Sequence, residues 1–373
     1  ASFNSVSIGK GANSVSGNTV LGEGALDAAV TGANNTAIGK SALTALTSGN
    51  NNVAVGRQAL LDLTEGTNNQ GIGVNSGENI TTGGFNAFIG TNAGATLTTG
   101  SNNIGIGYNS VQKTTTASNN VGIGYEALQE NTTGSENTSL GGNSLDANTT
   151  GGNNVGLGYN ALSNNTTASE NTAVGSQALA ANTTGTYNAA FGRKALQDNT
   201  TANNNTAFGA FSLRDNTTGT SNTGLGASAL DGNTTGSSNT AVGASALLTN
   251  TTGSNNTAIG HQALEDTTTT GGNTAVGYQA LLENTNSNNT GIGYQALKNN
   301  TSGYYNVALG LQSLALNTSG VQNTAVGYQA LDANTTAHNN VAMGAYSLGA
   351  NTTGTSNTAV GANALDTATT ATE

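Results

Sequence analysis

Proline is absent from all 373 residues. Low charge and abundant Asn, Thr and Gly would suit a disordered polar segment, but such segments are usually rich in proline. A backbone whose every N–H joins a hydrogen-bond ladder excludes it. The absence therefore points to continuous sheet. Cysteine is absent as well, which excludes disulfides and thiolate metal sites. Charged residues make up only 7% of the chain, against about 25% in an ordinary globular domain. The net charge is −11, from 19 acids and 8 bases. That balance disfavours nucleic acid and anionic membrane surfaces, which need clustered Lys and Arg. No apolar run is long enough to span a bilayer and no signal peptide is visible, so no membrane insertion is expected within this chain. The chain opens on Ala1 rather than Met, as expected of a fragment or a processed chain.

What is present is one phrase repeated from end to end. NTAVGYQAL stands at 273–281 and again at 323–331. The glycine that follows the apolar residue of each phrase gives 22 anchors, from Gly9 to Gly361. Their spacing is 17 residues, except for 13 at the first step and 16 from Gly277 to Gly293. Such a unit is too short for a helical hairpin repeat or a propeller blade. It fits one coil of a parallel β-solenoid, each coil lying on the last at about 4.8 Å. The predicted fold is all-β, a solenoid rod of about 22 coils and roughly 100 Å. It occupies 1–373 as a single repeat domain, with shorter coils over 1–22 and regular coils over 23–373.

The coil positions have distinct chemistry. Four residues before the anchor stands Asn in 21 of the 22 coils, Asn35, Asn120, Asn171, Asn273 and Asn323 among them. Its amide can donate to one copy and accept from the next, so an Asn ladder is predicted at a corner. The residue just before the anchor is apolar (Val55, Val174, Val276), and the residue four after it is Leu in 18 coils (Leu128, Leu281, Leu331). These two positions are predicted to form the dry core, each fully buried side chain contributing roughly 1.5–3 kcal/mol. Small residues two before and three after the anchor would let a facing sheet or another chain approach closely. The anchor itself should adopt a backbone conformation forbidden to other residues, or sit where no side chain fits. The remaining N-T-T-G stretch reads as the return bend.

Residues 4–22, NSVSIGKGANSVSGNTVLG, resemble the head repeats of YadA-like trimeric autotransporter adhesins. The resemblance lies in Asn4-Ser5-Val6-Ser7-Ile8-Gly9 and, more loosely, in Asn18-Thr19-Val20-Leu21-Gly22. The later N-T-A-V-G-Y-Q-A-L phrase with N-T-T-G is similar to repeats of related phage tail-fibre and bacterial surface proteins. The resemblance implies a left-handed parallel β-roll, a homotrimeric rod and a role in attachment.

No chemistry-bearing motif competes with the repeat. Gly39-Lys40-Ser41 ends like a P-loop, but the first glycine of that motif would fall on Asn34. The G-x-G pairs lack the third glycine and a following helix. His261 and His338 occupy different coil positions, so they form neither a metal site nor a catalytic dyad. Thirteen of the 19 acids, Asp146, Asp231 and Asp332 among them, fall five or six residues after an anchor. They read as a solvated edge that keeps rods apart, with weak calcium binding as the functional alternative.

Six tyrosines follow the anchor directly (Tyr108, Tyr125, Tyr159, Tyr278, Tyr294, Tyr328) and are candidates for glycan contact. Sequons at Asn131, Asn148, Asn182, Asn255 and Asn351 are candidates for N-glycosylation. These patterns predict a non-enzymatic adhesive fibre without cofactor or metal, outside a cell or on a virion. Its partners would be copies of itself, as homotrimer or end-to-end filament, and a cell-surface glycan or host receptor. A glycan-coated filament subunit is the alternative, and an ice-binding solenoid a third. An enzyme would need loop insertions that the 17-residue rhythm does not contain.

Overall fold

The structure, a computed structural model, describes residues 2–3 and 6–370, with side chains from Val6 onward. It is a parallel β-solenoid of about 20 coils, with no helix among the described residues. The chain divides into two compact units, Ala1–Tyr187 and Asn188–Glu373.

The first unit opens with β1 (Ser2–Phe3), β2 (Val6–Gly9) and β3 (Thr19–Gly22). Here the structure corrects the expected short parallel coil over 1–22. β2 runs antiparallel to β3, with Ile8 opposite Leu21, and β1 runs antiparallel to β2. The 13-residue step brings the chain around to pair but is too short to complete a coil. From β3 onward each coil contributes one short strand, three residues long from Thr36–Ile38 to Thr172–Val174, all paired parallel. Leu140 thus faces Leu157, 17 residues on. The second unit repeats the scheme from Ala189–Phe191 to Thr358–Val360. Its 16-residue coil keeps register, with Thr274 opposite Thr290.

Backbone bonding between coils extends well beyond the strands. Around one coil, Thr274 N–H donates to Asn289 O at 2.9 Å, Gly277 N–H to Ile259 O at 2.7 Å and Leu281 N–H to Ala296 O at 3.0 Å. A proline at such positions would delete one of these bonds. The anchor glycines have the forbidden conformation the sequence implies, with φ of 131–142° from Gly39 to Gly344. A Cβ on Gly277 would lie 2.4 Å from Gly293 O. The leucine four after the anchor is left-handed too, at φ 46–57°. For a branched residue that conformation costs roughly 1–2 kcal/mol, which burial of the side chain offsets. Stacking supplies the burial: Leu348 is fully buried, whereas Leu365 in the last coil is 48% exposed.

Leu128, Leu281 and Leu331 are fully buried as predicted. Val55, Val174 and Val276 are not core residues; they are only half-buried. Side chains alternate along a strand. The Asn four before the anchor points inward, so the small residue two before it also points inward, and the apolar residue just before it points out. Ala54, Ala173 and Ala275 are accordingly fully buried. This also decides between the two roles open to the small residues. They face the interior of their own coil, where no second chain reaches.

Two Asn ladders run through the interior. In the predicted one, Asn120 Oδ1 accepts from Asn137 N–H at 3.0 Å, and its Nδ2 donates to Gly134 O at 3.0 Å. Asn35, Asn171, Asn273 and Asn323 accept or donate likewise, so the ladder joins side chain to backbone as much as amide to amide. The second ladder lies seven residues after the anchor. There Asn148 Nδ2 donates to Asn131 Oδ1 at 2.8 Å and to Gly151 O at 2.9 Å.

Gly277→Ala should cost about 3–5 kcal/mol, because it forces a strained φ and a backbone clash together. Leu281→Ala should cost about 3 kcal/mol through the cavity it leaves. Urea melts of both variants check this; a Gly277→Ala protein that melts with wild type would contradict the stacking geometry.

Candidate functional site

With the interior filled by Asn, Ala and Leu, chemistry toward partners falls to the outward columns. The widest is the outer face of the strands. Its column just before the anchor holds an aliphatic or aromatic residue in every regular coil, from Ile38 to Val360. Ile72, Ile89, Leu140, Phe208, Leu225, Leu309 and Met343 in it are all exposed, Phe208 by 54%. Phe191 and Phe208 stack with centroids 5.4 Å apart. The neighbouring outward column, three before the anchor, is mainly Thr and Val. Neither column carries a charged residue in any coil from Thr36–Ile38 to Thr358–Val360.

The tyrosine column stands beside this face. Tyr108, Tyr125, Tyr159, Tyr278, Tyr294 and Tyr328 are all exposed. Some of their ring faces are already used. Tyr108 stacks on Tyr125 at 5.7 Å, His261 on Tyr278 at 5.6 Å, and Tyr278 on Tyr294 at 5.2 Å. Tyr328 meets Tyr346 edge-on at 5.1 Å. Glutamines next to this column form a further ladder, with Gln279 Nε2 donating to Gln262 Oε1 at 2.9 Å and Gln295 Nε2 to Gln279 Oε1 at 3.0 Å. His261 is thus part of an aromatic stack. His338 Nδ1, in a different column, accepts the Val321 N–H at 3.0 Å.

Four of the five glycosylation candidates are corrected by the structure. Asn131, Asn148, Asn182 and Asn351 are fully buried in the second Asn ladder, and their Nδ2 atoms donate to carbonyls three residues on, at 2.8–3.0 Å. An amide nitrogen held this way is closed to a transferase. Asn255 differs: it is exposed, at φ 60°, on the bend before the strand. Asn34, Asn204 and Asn288 occupy the same position, are exposed, and also begin sequons. The sequence signal that separates the two classes is the buried Asn of the first ladder, which follows each exposed one directly.

The acidic edge is partly paired. Lys113 Nζ reaches Glu130 Oε2 at 2.6 Å, and Arg214 Nε reaches Asp215 Oδ1 at 2.7 Å and Asp231 Oδ1 at 3.1 Å. No cluster of three metal-ligating residues occurs among the described residues. Burial pushes the carboxyls of Asp146, Asp231 and Asp332 above their usual value of 3.8, and Arg214 opposes the shift at Asp231. A cavity of about 310 Å³ opens at the N-terminal hairpin, where Lys10 and Asp27 line it beside Leu26. No helix among the described residues is long and apolar enough to cross a membrane.

Two outcomes follow. The folded chain holds protons on Asp146, Asp231 and Asp332 more tightly than the unfolded chain. Stability should therefore rise as pH falls through their raised values, and the gain should be complete below 3.8. Thermal melts at neutral pH and near pH 4 check the sign, and a lower midpoint at the acid end would reverse it. When the chain is secreted from a glycosylating host, peptide mapping should find glycan at Asn255, Asn34, Asn204 or Asn288. Glycan on Asn148 of folded protein would contradict the second ladder.

No protein-family model matches this chain, and no curated protein is similar enough to match it.

Proposed function

We propose that the chain is a non-enzymatic structural and adhesive fibre segment, displayed outside a cell or on a virion. It associates with copies of itself, as a homotrimer, through the uncharged outer face of its strands, and attaches its bearer to a glycan or receptor. One observation carries the reading: every regular coil turns an apolar side chain outward in the column from Ile38 to Val360, with no charge in that column or the next. Within each unit this makes a contiguous apolar stripe, and such a stripe marks an interaction surface when it exceeds a few hundred Å². The regular coil supports it further, since a face repeated in register is complementary to a copy of itself along its length. The number three comes from the resemblance to trimeric adhesin heads.

A second reading has its own observation. Thr206, Thr223, Thr240, Thr257, Thr274 and Thr290 follow one another in the outward column beside the aliphatic one. Such a flat array of methyls and hydroxyls would suit adsorption to ice, and only if the face is bare.

Sedimentation equilibrium separates the two. Three chains of 36.6 kDa are expected per particle. Ile259→Lys with Val276→Lys, both outward, should release monomers that keep the β-sheet signal. A monomeric wild type would reject the trimer, and thermal hysteresis by that monomer would favour ice.

A further inference from the structure

Gly142 is the only glycine found directly after an anchor in any of the 22 coils. Neither usual reason for glycine applies to it. Its backbone is not left-handed, and an added Cβ would meet nothing nearer than Tyr159 Cδ2 at 3.8 Å and Tyr125 O at 4.0 Å. Any residue could stand there. What glycine achieves is a gap.

The gap lies within the tyrosine column, whose order is Tyr108, Tyr125, Gly142, Tyr159. Tyr108 and Tyr125 show how the column packs, ring on ring with planes 14° apart. At position 142 one ring is missing. The free face of Tyr125 and the ring of Tyr159, whose Cδ2 leans toward Gly142, therefore bound a space of at most two coil steps, up to about 10 Å between rings. The two rings are 55% and 59% exposed. In the second unit the equivalent break between Tyr294 and Tyr328 is filled by Leu311.

We propose that this space, floored by Gly142 and walled by Tyr125 and Tyr159, binds one neutral pyranose ring of a glycan. Once the thickness of the two rings is allowed for, room remains for a single ring. A pyranose offers C–H groups on both faces and hydroxyls around its rim. The tyrosine faces suit the C–H groups, because their π-clouds carry partial negative charge. The rim is polar on the side of the following column. The Glu126 carboxylate stands beside Tyr125 and pushes its phenol up, and Asn143 Nδ2 lies 3.5 Å from Glu126 Oε2. Asn160 follows Tyr159 directly. A carboxylate and two amides together accept from and donate to sugar hydroxyls. The charge of Glu126 disfavours uronic and sialic acids.

The slot gives the attachment reading a ligand class and rests on it, but its test is independent of assembly. Saturation-transfer NMR with neutral methyl glycosides should show transfer to ring protons of at least one of them, at the millimolar affinity expected of a one-ring site, roughly −4 kcal/mol. Gly142→Tyr, which completes the ring stack, should weaken binding by at least about tenfold, roughly 1.4 kcal/mol, with the β-sheet signal unchanged. Ala227→Tyr, at the same coil position in the second unit, should leave binding intact. Undiminished binding by Gly142→Tyr would overturn the slot, as would no transfer from any neutral glycoside at about 50 mM. Sedimentation of the same samples keeps the outcomes apart. A trimer without sugar binding defeats the slot and spares the fibre; a sugar-binding monomer does the reverse.

Discussion

The structure depends on one close approach. Within each unit, the anchor glycines from Gly22 to Gly158 and from Gly192 to Gly344 lie against the carbonyl of the anchor in the next coil, at a distance that no Cβ would tolerate. That approach lets backbone N–H groups around the coil reach carbonyls of the neighbouring coil. It explains why glycine recurs with such regularity and why proline is missing. It also explains how leucine is held in a left-handed conformation in most coils. The cost at each Leu is local, whereas its burial is supplied by the coil stacked upon it.

A fixed coil-to-coil distance also fixes the interior volume, and the exceptions confirm the rule. Phe88 stands where every other coil from Gly39 onward carries Ala, Gly or Ser, yet it is fully buried. Its ring occupies space that side chains would otherwise take. A Cβ on Gly94 would lie 2.5 Å from that ring, one on Gly105 2.8 Å, and one on Gly77 3.2 Å. Gly77 and Gly94 stand where Leu is the rule, and the exchange keeps the volume constant. Seven residues after the anchor a different exchange occurs. Leu46, Leu63, Ile80 and Leu97 give way to Thr114, and then to Asn from Asn131 to Asn351, interrupted by Thr267. An aliphatic column becomes an amide ladder at the same position. The amides are tolerated because most Nδ2 groups find two partners, one in the neighbouring coil and one in their own, as Asn148 does.

The period, the parallel stacking, the role of the anchor glycine and the buried leucine column were legible in the sequence, because each rests on strict recurrence. The parity of the strand was misread at Val55, Val174 and Val276, where hydrophobicity suggested burial. The information was nonetheless present. The column just before the anchor varies from Val to Phe and Met, which an interior of fixed volume would not accept, while the column one residue earlier stays at Ala, Gly or Ser with the exceptions of Val20 and Phe88. Strict Asn four before the anchor sets the inward parity, and Ala two before shares it. In the N-T-T-G stretch the bend at the two threonines was legible, but the buried role of its Asn was missed for a related reason. Asn is a good turn residue, so a bend explained it, and nothing local distinguishes a turn Asn from one that stacks on its own copies. The antiparallel start at 1–22 was hidden because its phrase matches the repeat while its spacing does not.

An interior so constrained leaves the outward columns as the places where the sequence can vary without loss of the fold. Variation there is therefore informative in a way that recurrence is not. Directly after the anchor the chain places Lys, Glu, Arg, Val, Thr, Tyr, Ser, Ala, His, Leu and one Gly. Stability does not choose among them, since the position faces solvent and accepts any side chain. Tyrosines that follow one another at coil spacing stack into short ring columns, as at Tyr278 and Tyr294. A single glycine inside such a run removes one ring and no support. The fold thus separates two kinds of position. Where recurrence is strict, a residue holds the next coil; where it lapses on an outward column, the side chain is free to meet something other than the protein itself.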